Sequence, residues 1–285
     1  MSDGYLNELE AELGALGIRG SLRRRILAET ADHLRDSQDA ASFGEPRLIA
    51  GRFADELATN GARRVAFTSF LALAPAGLAY AVLLGLIRTW PDIASARLLP
   101  LAIATAVTIV LAPQVAFAAG VLTVARAWRL RSQTAAPASE IVVLRRRAAV
   151  ALGSGAAAFA AIAVYAYEYT SGLPGWWSAA AFVVSGAALV PIGAAAVALA
   201  RNAQLRPQAT GPAGDVFDDL APLVDRIPLR LRDRPWRFCV LVAAAVAAAA
   251  FLAGGPDEGP RNAVAEFVAV CAAFAALGRF LGLRR

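Results

Sequence analysis

The chain has 285 residues, of which 58% are hydrophobic, and its formal net charge at pH 7 is +6. Such an apolar content exceeds that of soluble domains and favours a membrane protein. Residues 1–60 hold 11 acids and 7 arginines, a net of −4, whereas the remainder holds 11 acids and 21 arginines, a net of +10. The sequence therefore predicts an acidic soluble head before a basic membrane body. Because the excess arginine flanks apolar runs, we expect it to set topology, and we expect no direct binding of nucleic acid.

The head, residues 1–61, is predicted to be a small cytoplasmic domain of three short amphipathic helices, because apolar residues recur there at helical spacing. Gly17 suits the left-handed end of the first helix, and Pro46 suits the first turn of the third. The third helix is expected to bury Ile49, Phe53 and Leu57. It is expected to end at Asn60 and Gly61, which would then form a hinge above the membrane. The predicted apolar faces of the first two helices are Tyr5, Leu6, Leu9, Leu13 and Leu16, and Leu22, Ile26, Leu27, Thr30 and Leu34.

The second predicted helix carries the only histidine of the chain, His33, among the acids Glu29, Asp32 and Asp36. Histidine titrates near neutrality, so one interpretation is a pH- or metal-responsive contact. One histidine beside one carboxylate provides too few ligands for a zinc site. The other interpretation is an i,i+4 pair on a solvated or partner-facing helix. We take these four residues as a candidate interaction surface and expect no metal or cofactor.

Six apolar runs follow the head, and most have about the 20 residues that a helix needs to cross roughly 30 Å of hydrocarbon. The predicted fold is therefore all-α: a six-span transmembrane bundle of three hairpins, residues 62–285, behind the three-helix head. The predicted spans are about 65–87, 98–124, 148–167, 176–200, 238–254 and 263–283.

The arginines predict the orientation of the spans. The 125–147 loop holds six arginines and the 201–237 loop seven, whereas the 168–175 loop holds none and the 255–262 loop one. Since positive loops stay inside, both termini and the two long loops are placed in the cytoplasm. Trp90, Trp176 and Trp177 are then expected at the outer interface. All 28 basic residues are arginine, as GC-rich coding produces, which suggests a bacterial cytoplasmic membrane.

Few polar residues lie near the hydrocarbon. Glu168 and Glu266 are expected within about one helical turn of the outer interface, and Gln114 is expected to hydrogen-bond between helices. Cys239 and Cys271 are expected at different depths and without a disulfide. The segment after Asp215 is either an interfacial amphipathic helix or a solvated loop held by arginine.

The head carries a family resemblance. The pattern runs from Tyr5-Leu6, Leu9 and Leu13, through Ile26-Leu27-Ala28-Glu29 and His33-Leu34, to Gly44-x-Pro46 and Ile49-Ala50-x-Arg52-Phe53. It resembles the HAAS-type helical prefix domain, over about 55 residues; Ala54 departs from a common glycine. The resemblance implies a bacterial membrane protein, often paired with a PadR-type regulator, in which the prefix has a signalling role.

Two functional hypotheses remain. The first is a non-catalytic signalling or regulatory protein whose head binds a cytoplasmic partner and whose body senses the bilayer or a small amphiphile. The second is a transporter or permease subunit that relies on a separate ATPase chain, because this chain has no Walker A sequence. No catalytic set is visible, so we expect no enzyme. We further expect the head acids Glu8, Glu12, Asp32, Asp36 and Asp39 to rest against the arginine-rich loops.

Overall fold

The computed structural model describes residues 2–37, 44–86, 96, 98–169, 173–214, 218–219 and 235–277. Within these ranges all regular structure is helical and no strand occurs, which confirms the all-α prediction. A short 3-10 turn, Leu130–Ser132, follows the fourth helix. The helices are α1 (Ser2–Ala15), α2 (Gly20–Ser37), α3 (Pro46–Gly85), α4 (Leu99–Arg129), α5 (Ala138–Glu168), α6 (Gly175–Ala203) and α7 (Pro235–Leu277).

Four helices in the described part of the chain, α3 to α6, are long and apolar enough to cross a membrane. They coincide with the first four predicted runs. Large apolar side chains remain exposed on their outer faces; Leu78 is 68% exposed, Val183 71% and Val190 73%. Exposed apolar surface of this extent is stable when it faces lipid rather than water. The protein is therefore a membrane protein.

The bundle is centred on α5, which packs against α3, α4 and α6. Two hydrogen bonds join helices of the bundle away from the head. The Tyr80 hydroxyl of α3 donates to the Ile109 carbonyl of α4 at 2.9 Å, and the Trp177 indole of α6 donates to the Leu83 carbonyl of α3 at 2.8 Å. Trp177, the third residue of α6, is only 1% exposed and therefore packs inside the bundle. A buried indole needs such an acceptor, and the α3 carbonyl supplies it. Trp176 is exposed, whereas Trp90 lies outside the described residues.

Helix α3 runs without a break from the head into the first span, through Asn60 and Gly61. The predicted helix end and hinge at these residues are therefore wrong. A Cβ atom at Gly61 would overlap the side-chain amide of Asn202 in α6. Glycine is needed here for the close approach of two helices, not for a helix end. The predicted domain boundary at residue 61 consequently falls inside a helix that the head and the body share.

The buried face of α3 in the head also differs from the prediction. Ala50, Ala54 and Ala58 are fully buried, whereas Ile49, Phe53 and Leu57 are only half-buried around them. Small residues at the centre of the face allow α1 and the loops of the body to approach closely. The head core consists of Leu9, Leu13, Leu16, Ile18, Ile26, Ala50 and Ala54, and Leu205 of the body packs against it.

Helix α7 is helical over 43 residues, yet its two ends lie beside each other. A Cβ atom at Gly259 would lie 2.6 Å from the Phe251 carbonyl oxygen, and the thiols of Cys239 and Cys271 interact. In one straight helix these pairs would be about 12 Å and 48 Å apart. The chain therefore reverses direction between Phe251 and Gly259. The two cysteines are at the same depth, and the expectation of different depths was wrong; both are free thiols.

The paired cysteines make the reversal of α7 testable. Mild oxidation with copper-phenanthroline and oxygen should join Cys239 to Cys271 within one chain, because the two side chains lie close enough to interact. Trypsin cleaves after Arg237, Arg261 and Arg279, so the peptides 238–261 and 262–279 should stay joined in the oxidised chain and separate on reduction. Cys271→Ser is the control. Separation of the fragments without reduction would contradict the hairpin.

Candidate functional site: the head–body interface and a buried charge cluster

The head is attached to the body through the turn between α1 and α2. The Arg206 amide donates to the Leu16 carbonyl at 3.0 Å, so the chain after α6 pairs with the head backbone. Gly17 has a φ of +86°, the left-handed conformation predicted for it. A Cβ atom at Gly17 would overlap the carbonyl of Gln204. This glycine therefore both turns the chain and lets the body approach.

Two polar side chains of α3 extend the attachment. The Asp55 carboxylate, 9% exposed, accepts hydrogen bonds from the Gln208 and Ala209 amides. The Thr59 hydroxyl accepts from the Ala136 amide at 2.9 Å. Asp55 and Thr59 are four residues apart, so they lie on one face of the helix. That face binds the backbone of both long connections of the body, before α5 and after α6.

Arginines of α3 and α5 complete the interface, and they bind carbonyl oxygens rather than head acids. Arg63 donates to the carbonyls of Leu130 and Arg131, at 3.1 and 2.6 Å. Arg145 donates to both the side-chain oxygen and the carbonyl of Asn202, at 2.7 and 2.5 Å. An arginine provides five donors in a fixed plane, so one side chain can bind several carbonyl oxygens at the end of a helix.

A buried charge cluster lies beneath these connections, formed by Arg126, Arg129, Glu140, Arg147 and Asp219. Helix α4 supplies Arg126 and Arg129 from its last turn, three residues apart and hence on one face. Helix α5 supplies Glu140 and Arg147, seven residues apart and hence also on one face. The segment after α6 supplies Asp219. Three cations and two anions give the cluster a net charge of +1.

Asp219 is the centre of the charge cluster. Its carboxylate accepts from Arg126 Nε at 3.0 and 3.1 Å, from Arg129 Nε at 3.0 Å and from Arg147 Nη1 at 2.6 Å. Glu140 accepts from Arg129 at 2.8 and 2.9 Å and from the Gly214 amide at 2.8 Å. Charge-assisted bonds of this kind are about twice as strong as neutral ones.

Four of the five members of the charge cluster are removed from water. Arg126 is 0% exposed, Arg147 2%, Asp219 3% and Glu140 4%. Burying ions is costly unless each is paired, and removal of one partner leaves the others uncompensated. The cluster therefore holds the segment around Gly214 and Asp219 in one place against α4 and α5. The part of the connection that precedes Gly214 hydrogen-bonds to the head. The cluster therefore also fixes the position of the head on the body.

The predicted interaction residues of α2 lie on a different surface. Glu29, Asp32, His33 and Asp36 are all exposed. Glu29 pairs with Arg25 at 3.0 Å and Asp32 with Arg35 at 2.9 Å, both within the helix. Across the described ranges no group of three metal-ligating side chains is found. These four residues therefore form a solvent-facing surface, separate from the head–body interface.

The head contacts the loops, but not through the acids that were expected to dock there. Glu8, Asp32 and Asp36 are exposed, and Asp39 lies outside the described residues. The contacts with the loops come instead from Leu16, Asp55 and Thr59. Docking thus depends on backbone pairing and buried hydrogen bonds. These contacts define the geometry of the interface, which opposite surface charges would not do.

Within the head, Tyr5 ties α1 to the start of α3. Burial, with a smaller effect of Glu8, raises the pKa of the Tyr5 phenol, so the hydroxyl stays protonated at neutral pH. It donates to the Gly44 carbonyl at 3.2 Å, two residues before α3 begins.

Sequence reasoning did not single out Glu140, Asp219, Asp55 or Asn202. The signal that could have found the first was the spacing of Glu140 and Arg147, an acid and a base seven residues apart on one helical face just before an apolar run. The arginines were assigned to topology and to docking of the head acids, whereas three of them belong to the charge cluster.

Comparison with known proteins adds no assignment. No family model matches the chain, and neither a curated protein nor a solved structure matches it.

Proposed function

We propose that this chain is a non-catalytic signalling or regulatory protein of a bacterial cytoplasmic membrane, whose head binds a cytoplasmic protein partner. The observation that carries the proposal is the attachment of the head to both long connections of the body. A partner that binds the free side of the head acts on a unit already joined to the spans. Because α3 is shared, a tilt of the head is also a tilt of the first span.

The proposal includes the orientation and the number of spans. We place the head and both termini in the cytoplasm, since the arginine-rich connections lie on the head's side of α4, α5 and α6. The two arms of α7 serve as the fifth and sixth spans. This arrangement gives three hairpins, with the reversal between Phe251 and Gly259 at the outer side.

The proposed partner surface is the exposed side of α2, with Glu29, Asp32, His33 and Asp36. It is well placed because it lies away from the body and keeps charged side chains in water. A PadR-type regulator encoded nearby is the first candidate partner, as the resemblance of the head to HAAS-type domains implies. The bilayer is the second partner of the chain.

The experiment is co-purification of the full-length protein, in detergent, with the purified candidate regulator. We expect the intact protein to retain the regulator and the triple variant Glu29→Arg, Asp32→Arg, Asp36→Arg to lose it. The matched control reverses acids elsewhere on the head, Glu8→Arg with Glu56→Arg, and should bind normally. Equal retention by both variants would contradict the proposed surface, and no retention by the intact protein would remove the regulator as partner.

One observation favours the alternative, a permease subunit that depends on a separate ATPase. Gln114 in the middle of α4 donates to the Glu266 carboxylate at 2.7 Å. Glu266 therefore lies level with the centre of a span and not, as expected, near the outer interface. Acidic side chains at that depth are typical of ion or substrate pathways.

To test the alternative, an ATPase chain that co-purifies with this protein is reconstituted with it in liposomes, and ATP hydrolysis is measured. If the chain is a permease subunit, it should stimulate ATP hydrolysis by the partner, and Glu266→Gln should remove that stimulation while Glu56→Gln keeps it. Absence of stimulation, or full stimulation with Glu266→Gln, would contradict a transport role for Glu266.

A further inference from the structure

A groove opens between the head and the membrane part of the bundle. Its volume is about 1090 Å³, and it is lined by the α1–α2 turn, α3 and α6. One end carries three arginines, Arg19 of the head, Arg64 of α3 and Arg201 of α6. The other end is apolar and includes Leu71 and Ala194. We call it the arginine groove.

The three arginines of the arginine groove are exposed, and no carboxylate in the described ranges pairs with any of them. They contrast with the arginines of the charge cluster, each of which contacts an acid. Three unneutralised guanidinium groups around one opening create a positive potential, which attracts an anion and in particular a phosphate group.

The apolar end of the arginine groove lies at membrane depth. Leu71 is seven residues beyond Arg64 in α3, and Ala194 is seven residues before Arg201 in α6, so each apolar level is about 10 Å from the arginines. Leu71 is 68% exposed on the outer side of its helix. A ligand that fits both ends therefore has an anionic head and an apolar tail that extends into the bilayer.

We propose that the arginine groove binds an anionic phospholipid of the surrounding membrane, with its phosphate between Arg64, Arg201 and Arg19 and an acyl chain along α3 and α6. A soluble anion would leave the apolar end uncovered, and an acyl chain without charge would leave the arginines unpaired. The proposal deepens and rests on the proposed signalling function, since the lipid bridges head and body and gives the body a ligand to sense.

The test measures lipid retention and does not involve a protein partner, so it fails independently of the regulator experiment. Full-length protein in neutral detergent is titrated with phosphatidylglycerol or phosphatidylcholine of the same acyl chains, and bound lipid is counted by native mass spectrometry. We expect phosphatidylglycerol to bind more tightly. Each arginine near a membrane surface contributes about a factor of five, so Arg64→Gln with Arg201→Gln should weaken binding about 30-fold.

Three comparisons distinguish a lipid in the groove from a general charge effect and from a soluble phosphate. The control Arg24→Gln with Arg131→Gln removes the same charge from exposed sites outside the groove and should leave binding unchanged; an equal loss would show a general charge effect and overturn the site. Ala194→Trp fills the apolar end without changing charge, and unchanged binding would also overturn it. Glycerol phosphate should not compete; full competition would show that the groove takes a soluble phosphate instead of a lipid.

Discussion

Replacing Asp219 by Ala should destabilise the protein by about 3–5 kcal/mol, the usual cost of breaking a buried ion pair from one side. The carboxylate contacts Arg126, Arg129 and Arg147, and its removal leaves three cations with Glu140 as their one remaining acid in the cluster. The loss should be seen as a lower midpoint in reversible unfolding by sodium dodecyl sulfate in mixed micelles.

Two further variants isolate the charge effect at Asp219. Asp32→Ala removes an exposed acid from a helical pair and should change the free energy of unfolding by less than about 1 kcal/mol. Arg147→Met in the Asp219→Ala background removes one of the uncompensated cations and should recover part of the stability. A loss for Asp219→Ala no greater than that for Asp32→Ala would show that the cluster does not hold the connection after α6.

Gly17→Ala should release the head from the body. The added Cβ would overlap the backbone carbonyl of Gln204, which cannot rotate away, and Gly17 also has a positive φ. Strain in the left-handed region costs an alanine about 1–2 kcal/mol, and overpacking adds about 1–3 kcal/mol. We expect faster hydrogen exchange at the amides of Arg206, Gln208 and Ala209, which the head protects in the intact protein.

Gly20 offers a matched control for this variant. It too has a positive φ, +66°, but a Cβ atom there would meet no heavy atom within 4 Å. Gly20→Ala should therefore carry the backbone strain without the clash and keep the exchange of the three amides slow. Equal exchange in the two variants would show that backbone strain, not contact with Gln204, governs the attachment.

Much of the fold follows from the sequence because it depends on local patterns. Apolar runs of span length predicted α3 to α6, and the positive φ of Gly17 follows from a glycine after a helical stretch. The break at Asn60-Gly61 was predicted from the same rule and was wrong, since that glycine accommodates Asn202 from another helix. A glycine that ends a helix and one that admits a neighbour look alike in sequence.

The candidate site was harder to predict because its members are distant in the chain. Asp219 contacts Arg126 across 93 positions, and Asp55 contacts Ala209 across 154. No local periodicity reports such a pair. Charge balance suggested that the head meets the arginine-rich loops, but net charge carries no direction, and the contacts are made by one buried aspartate, one threonine and backbone amides.

The head rests on the body in one defined place, and an engineered disulfide tests this attachment most directly. A Cβ atom at Gly51 would lie 3.9 Å from Cγ of Gln208, so cysteines placed at the two positions are near enough to crosslink after a small movement. In a chain with Cys239→Ser and Cys271→Ser, the pair Gly51→Cys and Gln208→Cys should crosslink almost completely in native membranes under mild oxidation, and far less when Gly17→Ala is added. The pair Glu29→Cys and Gln208→Cys should not crosslink. Equal crosslinking of the two pairs, or none at Gly51, would contradict a defined attachment of the head.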